Sequence, residues 1–342
     1  MKQAVMTEPG KIEIRNVPEL EHLRPNEILL NIQRIGVCGS DIHVYHGKHP
    51  FTSYPIVQGH EYSAIIKSVG SAVTKAKAGM KATARPQIVC GECAPCKRGH
   101  YNVCQNLKVQ GFQANGCAQD LFVVPEDRLV VFPDTMTFEQ GALIEPSAVA
   151  AHSTSRASAL RGKNVVVAGA GTIGNLVAQF VQARGAAKVL ITDLSEFRLG
   201  IAQRCGIRYT ANVAQEPFEK AAKRVFGTEG FQVGFEAVGV QATMDNLINT
   251  IEKGGEVVVL GVFEEHPRIN MGFVGEHELR IVGTMMYRHE DYDEAVQMIS
   301  RNSIVTGPLV TMHFPFEHFL DAYKFIEVQG DKAMKVMIDL TE

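Results

Sequence analysis

Four of the chain's seven cysteines lie in one stretch, CGECAPCKRGHYNVC at 90–104. Cys90, Cys93, Cys96 and Cys104 are separated by two, two and seven residues, so their sulfurs can converge on one ion through local turns. Four thiolates fill the tetrahedral coordination of Zn²⁺ and leave no position for a substrate. The spacing predicts a structural zinc site. A redox dithiol or an iron–sulfur cluster is the alternative, although the last spacing differs from that of a ferredoxin.

A second set of metal-binding residue types lies upstream and points to a reactive metal. Cys38, His60 and Glu61 offer a thiolate, an imidazole and a carboxylate. Three protein ligands and one water are typical of a catalytic zinc. Glu145 lies in the apolar stretch GALIEPSAVAAH, where a carboxylate needs a partner that zinc or zinc-bound water would supply. Alternative histidine ligands are His46, His49, His100 and His152.

A glycine-rich turn stands between a predicted strand and a predicted helix. The apolar run 165–167 indicates a buried strand, GAGTIG follows at 169–174, and the segment 176–181 has helical periodicity. A second apolar run then ends at Asp193, at the distance expected of an acidic residue in a dinucleotide site. This order of strand, glycine-rich turn, helix, second strand and acidic residue is typical of dinucleotide-binding sites. It therefore predicts that the chain binds a dinucleotide.

Each residue of this motif has a physical role. Gly169 permits the tight turn, Gly171 allows the backbone to approach a pyrophosphate, and Gly174 allows the helix to pack on the strand. Asp193 would accept hydrogen bonds from the adenosine ribose and repel a 2′-phosphate, which favours NAD over NADP, while Arg198 offers a phosphate or adenine contact. The residues predicted to bind the phosphates are Gly169, Gly171, Thr172, Ile173 and Gly174.

The alternation of strands and helices continues through the following ninety residues. Strands are predicted at 233–237, 256–260 and 278–282, with helices near 218–225 and 244–251. Strand carboxyl ends line the ligand crevice of an open parallel sheet, so the residues that follow them are expected near the nicotinamide and its ribose. These residues are Val238, Gly239, Leu260, Gly261, Val262, Thr284 and Met285.

The composition indicates a two-domain globular enzyme. The chain has 342 residues, of which 45% are hydrophobic and 21% charged, with a net charge of -3. No basic face stands out, so nucleic acid is not an expected partner. We expect no membrane partner either, because no apolar stretch approaches the ~20 residues of a membrane span. The start of the sequence does not read as a signal peptide, so we expect a reducing cytoplasm in which cysteines bind metal.

Taken together, these motifs resemble the zinc-containing medium-chain dehydrogenase/reductase superfamily along essentially the whole chain. The residues that carry the resemblance are CGSD at 38–41, GHE at 59–61, the four-cysteine stretch, Glu145-Pro146 and GAGTIG at 169–174. The resemblance implies an α/β fold of two domains, with the active site in the cleft between them. Residues 1–147 and 287–342 would form a GroES-like β-barrel catalytic domain, and residues 148–286 a Rossmann domain with a doubly wound parallel sheet.

The resemblance also implies roles for individual residues. Cys38, His60 and Glu61 would bind the catalytic zinc directly, and Glu145 directly or through zinc-bound water. Ser40 and His43 match the positions that handle the proton. Asp193 and Arg198 match the NAD-ribose contacts, and the whole protein would hold two zincs per chain and form a homodimer or homotetramer.

The substrate class follows from the stretch ALIEP at 142–146, which looks like the sorbitol-type polyol dehydrogenases. We therefore expect NAD-dependent oxidation of a polyol's secondary alcohol to a ketose, with Phe112 and Tyr287 shaping the substrate pocket. Met286-Tyr287 stands where these enzymes commonly have Arg-Tyr, and the stretch 40–60 also resembles enzymes that oxidise hexonates. A hexonate or L-threonine is therefore the alternative substrate. An alternative of another class is a non-catalytic NAD- and zinc-binding sensor.

Overall fold

The computed structural model describes residues 1–19 and 22–341. It divides into two compact units, one formed by Met1–Glu145 with Val310–Glu342 and the other by Pro146–Leu309. The first boundary lies close to the expected residue 147. The expected return of the chain to the first unit at residue 287 stays a prediction, and the second unit of the structure extends to Leu309.

The strands are β1 (Lys2–Glu8), β2 (Lys11–Asn16), β3 (Glu27–Val37), β4 (Ile56–Val57), β5 (Glu61–Val69), β6 (Lys81–Ala84), β7 (Gln87–Ile88), β8 (Lys108–Val109), β9 (Leu121–Pro125), β10 (Leu129–Val131), β11 (Asn164–Ala168), β12 (Lys188–Asp193), β13 (Tyr209–Asn212), β14 (Val233–Glu236), β15 (Glu256–Val259), β16 (Arg280–Gly283), β17 (Val310–Pro315) and β18 (Lys335–Asp339). The helices are α1 (Gly39–Tyr45), α2 (Ala94–Lys97), α3 (Phe138–Ala142), α4 (Ile144–Ser155), α5 (Thr172–Ala183), α6 (Glu196–Arg204), α7 (Phe218–Phe226), α8 (Gln241–Thr250), α9 (Met271–Glu276), α10 (His289–Ser300) and α11 (Phe319–Gln329).

The first unit is a β-structure around one apolar core. Its main sheet has the order β10-β6-β5-β3-β18-β17, with β9 also paired to β3, and a smaller sheet has the order β2-β1-β4. Strand β3 is the centre of this arrangement because its apolar residues are buried along almost the whole strand. This is the GroES-like domain expected for the two ends of the chain.

Strand register in the first unit brings distant parts of the sequence together. Strands β3 and β5 pair antiparallel with Gly36 opposite Glu61, and β18 pairs with β3 with Val336 opposite Val37. The end of β3, the start of β5 and the start of β18 therefore lie side by side. A Cβ on Gly36 would lie 2.5 Å from Oε2 of Glu61, so glycine makes room there for that carboxylate.

The second unit is built on a parallel sheet with the order β13-β12-β11-β14-β15-β16. Strand β11, NVVVA, is buried throughout, as expected for a parallel strand covered on both faces. The predicted strands and helices of this region are present within a few residues of their expected ends, whereas β13, α6 and α9 were not predicted. The sheet confirms the Rossmann part of the fold.

Contacts of α10 explain why residues 287–309 belong to the second unit. His152 of α4 lies 2.9 Å from Asp291 of α10, and both side chains are buried. The amide of Gln179 in α5 donates to the carbonyl of Val305 and accepts from its N–H. These contacts bind the segment to α4 and α5 of its own unit.

No helix in the described part of the chain is long and apolar enough to cross a bilayer.

Candidate active site and metal centres

The structure brings Cys38, His60 and Glu61 together, as the sequence predicts. One potential ligand atom of each lies within 4.8 Å of the others. Strand register produces this grouping, because Cys38 directly follows β3 and His60 directly precedes β5. A thiolate, an imidazole and a carboxylate are the donor types of a catalytic zinc with an open coordination position. The three residues therefore fit a zinc ion.

Asp41 contacts two of these three residues from the first turn of α1. Its Oδ2 accepts the backbone N–H of Cys38 at 2.9 Å, and its Oδ1 lies 3.5 Å from Nδ1 of His60. Burial lowers the pKa of His60, but the Asp41 carboxylate and the Cys38 thiol outweigh burial and raise it well above the usual value. A carboxylate on the second nitrogen of a metal-binding histidine fixes the orientation of its ring.

Lys335 is a part of the site that was not predicted from the sequence. Its Nζ donates to Oε2 of Glu61 at 2.5 Å and to the carbonyl of Val37 at 3.1 Å, and it is 3% exposed. Burial lowers the pKa of Lys335, but the charges of Glu61 and Cys38 outweigh burial and raise it. A lone lysine at the start of the apolar strand KVMID was the available signal, but its partner is 274 residues away.

The structure places Glu145, Ser40 and His43, the other residues predicted for this site, outside the three-residue group. Glu145, at the start of α4, is 5% exposed and contributes to the raised pKa of Lys335, but it is outside the three-residue group found among the described residues. Ser40 and His43 lie on α1 and are half-buried. Their roles, and the direct or water-mediated binding of Glu145, stay predictions.

The four-cysteine stretch forms a second group. Cys90, Cys93, Cys96 and Cys104 each place a sulfur within 4.8 Å of the others, and all are free thiols. Backbone N–H groups of Cys93 and Glu92 lower the pKa of Cys90 to about 6, which favours the thiolate that binds metals. Four sulfurs without a nitrogen or oxygen donor fit the predicted structural zinc.

The remaining histidines and cysteines lie outside both metal-binding groups in the described residues. His46 pairs with Glu327, His152 with Asp291, and the ring of His49 packs on Phe112. Cys117 and Cys205 are buried, and burial raises the pKa of Cys205 to about 11. These two cysteines are therefore small buried side chains of the interior.

The glycine-rich turn joins β11 to α5. Gly169 has φ of +105°, and a Cβ on Gly174 would lie 1.9 Å from the carbonyl oxygen of Gly169. Only glycine allows this close packing, which leaves the first N–H groups of α5, beginning at Thr172, at the carboxyl end of the strand. Because β11 lies between β12 and β14, the turn is at the point where the strand order reverses, which is where such sheets bind nucleotides.

Asp193, at the end of β12, already accepts two backbone hydrogen bonds. The N–H of Ala170 donates to Oδ2 at 2.7 Å and that of Ser195 to Oδ1 at 2.9 Å. Each carboxylate oxygen can accept a further bond, so contact with a ribose is compatible with this arrangement. Arg198 is half-buried in the first turn of α6.

The other predicted cofactor residues follow β14, β15 and β16, as expected. A Cβ on Gly239 would lie 2.4 Å from the carbonyl oxygen of Val262, so the first two of these loops pack closely. Met285 is 48% exposed, whereas Tyr287 is fully buried and packs edge to face on Tyr292. Phe112 is 7% exposed and contacts the ring of His60 with 4.9 Å between centroids. Pocket roles for Phe112 and Tyr287 stay predictions.

Comparison with known proteins gives a consistent result along the chain. Residues 24–134 match the alcohol dehydrogenase GroES-like domain, and residues 172–301 match the zinc-binding dehydrogenase domain. D-xylulose reductase A of Aspergillus niger is 32% identical over 340 residues, which cover 96% of this chain and 93% of that protein. Sorbitol dehydrogenase of Bacillus subtilis strain 168 is 29% identical over 348 residues, which cover 99% of this chain and 97% of that protein.

A solved structure described as a short chain alcohol dehydrogenase from Escherichia coli CFT073, in complex with NADH, has the same fold. The TM-score is 0.91 with 26% sequence identity, and the match covers 99% of both chains.

The two matched domains and the Rossmann sheet define a zinc-dependent dehydrogenase that uses a nicotinamide cofactor. More particularly, the chain belongs to the zinc-containing medium-chain dehydrogenase/reductase superfamily, and it is similar to the polyol dehydrogenases within it. It is an oxidoreductase that acts on a small-molecule alcohol.

Proposed function

We propose that this enzyme transfers a hydride from a secondary alcohol of a polyol, of the sorbitol, xylitol, iditol or inositol type, to NAD and forms a ketose. The convergence of Cys38, His60 and Glu61 is the observation that carries this proposal. Zinc held there would act as a Lewis acid that lowers the pKa of the substrate hydroxyl. Similarity to enzymes named sorbitol dehydrogenase and D-xylulose reductase supports a polyol as substrate.

The residues of α1 supply the route for the proton in this proposal. Ser40 would accept the proton of the substrate hydroxyl and pass it, by way of a cofactor ribose hydroxyl, to His43. An imidazole suits this exit because its unperturbed pKa of about 6.5 lies near physiological pH. Glu145 would orient the water or bind the metal, and Lys335 would hold Glu61 in place.

We infer that NAD is preferred over NADP because Asp193 ends the second strand of the nucleotide-binding unit. Asp193→Ala is expected to reduce the ratio of catalytic efficiency with NAD to that with NADP. Since Asp193 also fixes the backbone of Ala170, the same change should weaken both cofactors somewhat. An unchanged ratio would contradict the assignment.

A substrate panel with NAD tests the substrate class. Sorbitol, xylitol, an inositol, a hexonate and L-threonine would be compared by the rate of NADH formation. We expect a polyol to have the highest catalytic efficiency. A hexonate or threonine that exceeds every polyol ten-fold would refute the proposal.

Two further properties belong to the same proposal. We expect two zincs per chain, since the four-cysteine group would hold a structural ion in addition to the catalytic one. We also expect a cytoplasmic homodimer or homotetramer that pairs through β16, the edge strand of the parallel sheet. Light scattering after size exclusion would give the number of chains, and a monomer at micromolar concentration would rule out this assembly.

A further inference from the structure

The imidazole of His49 packs on Phe112, which in turn contacts His60 of the metal-binding group. Its ring stacks on Phe112 with 4.8 Å between centroids and 15° between planes. Its Nδ1 lies 2.7 Å from the hydroxyl of Thr52, which fixes the rotation of the ring. A stacked face and one hydrogen-bonded nitrogen leave the ring little freedom to move.

Phe112 contacts both His49 and His60, which is one of the predicted zinc ligands. The centroid of Phe112 lies 4.8 Å from that of His49 and 4.9 Å from that of His60, so the two imidazoles are closer than the sum of these distances. A molecule with several carbons bound by one oxygen at the metal group can span this separation. His49 therefore lies within the length of such a molecule from the metal-binding group.

The second ring nitrogen of His49 makes no hydrogen bond to any residue that the structure describes. Burial lowers the pKa of His49, and the neighbouring His43 lowers it further, while the Asp41 carboxylate acts in the opposite direction. A neutral imidazole both donates and accepts hydrogen bonds, which suits a hydroxyl group. It provides no cation for the carboxylate of a sugar acid.

We propose that His49 is a specificity residue that hydrogen-bonds, through Nε2, a substrate hydroxyl remote from the reacting carbon. It selects polyhydroxylated alcohols over simple secondary alcohols and over sugar acids. Phe112 serves as the apolar spacer that sets the distance between the two ends of the substrate. This inference rests on the proposed polyol dehydrogenase function and names the residue that recognises the polyol.

The test compares xylitol, xylonate and 2-propanol as substrates with NAD. His49→Phe keeps an aromatic ring to stack on Phe112 but removes both nitrogens, whereas His49→Gln keeps a polar group at a similar reach. His46→Gln is the matched control, because His46 is an exposed residue that pairs with Glu327. Zinc content and thermal stability of each variant show whether the protein is intact.

The wild type is expected to prefer xylitol to both other substrates. In His49→Phe the ratio of kcat/KM for xylitol to that for 2-propanol should fall at least about ten-fold, mainly through KM, because one hydrogen bond is lost. His49→Gln should retain more of this ratio, and His46→Gln should leave it unchanged.

Equal losses for xylitol and 2-propanol in His49→Phe would overturn the inference, since a purely structural role lowers both. The inference would also be overturned if the wild type prefers xylitol but His49→Phe leaves the ratio of kcat/KM for xylitol to that for 2-propanol unchanged. By contrast, a wild type that oxidises 2-propanol but no polyol would refute the polyol function itself.

Discussion

At the scale of single residues, Asp41 organises the metal-binding group although it is not one of its ligands. One of its oxygens holds the backbone of Cys38 and the other faces His60. We predict that Asp41→Asn lowers zinc affinity by about 10–100-fold, since partners of ligands have effects of this size. Zinc retention during titration with a chelator measures the change.

Asp321→Asn is the control for this experiment, because Asp321 is exposed and pairs with His318 in a different part of the unit. Equal zinc retention by the two variants would mean that Asp41 does not orient the ligands.

Lys335 and Glu61 form a buried ion pair whose disruption should be costly. Lys335→Met keeps the volume of the side chain but leaves the Glu61 carboxylate without its cation. We predict that the metal-free protein loses about 3 kcal/mol of unfolding free energy, as for other broken buried pairs. The loss should be smaller with zinc present, because zinc also neutralises this carboxylate.

Urea denaturation with and without zinc measures these effects. The double variant Lys335→Met with Glu61→Gln should regain much of the lost stability, since no unpaired charge remains. A double variant that is no more stable than Lys335→Met would contradict the ion-pair explanation.

At the scale of elements, the contact between α5 and the turn after β11 should control cofactor binding. In Gly174→Ala the new Cβ would clash with the carbonyl of Gly169, so the helix must move away from the phosphate site. We predict NADH binding weaker by at least about ten-fold, because the turn and the helix N-terminus together form that site. Quenching or enhancement of NADH fluorescence gives the dissociation constants.

The matched control is Gly200→Ala in α6, where no atom lies within 4 Å of the added Cβ. Alanine in a helix interior is expected to be neutral or to stabilise by up to about 1 kcal/mol. If Gly174→Ala binds NADH as tightly as Gly200→Ala does, the predicted role of this packing is wrong.

Elements with strong local signals were predictable from the sequence. Strand β11 and helix α5 carry a continuous apolar run and a helical apolar periodicity, and both were expected. Strand β13, YTAN, has only four residues and a mainly polar sequence. Its pairing with β12, and not its composition, makes it a strand. Tertiary context overrides local preference in such short strands.

At the scale of the whole molecule, the return of the chain to the first unit was not derivable from local patterns. Strand β18 joins that unit through its register with β3, a contact between residues about three hundred positions apart. The resemblance to a known family supplied the expectation of a discontinuous domain. For the same reason Lys335 was missed, since its position beside Glu61 depends on that register.

We predict that Cys38, His60 and Glu61 hold a metal ion on which oxidation of the substrate depends. The most direct test is the zinc content and polyol-dependent NADH formation of wild type, Cys38→Ser, and the control Cys205→Ser, measured on the same samples. We predict two zincs and activity for the wild type and the control, but one zinc, an intact fold and no activity for Cys38→Ser. Two zincs or the wild-type rate in Cys38→Ser would contradict this role of the three residues.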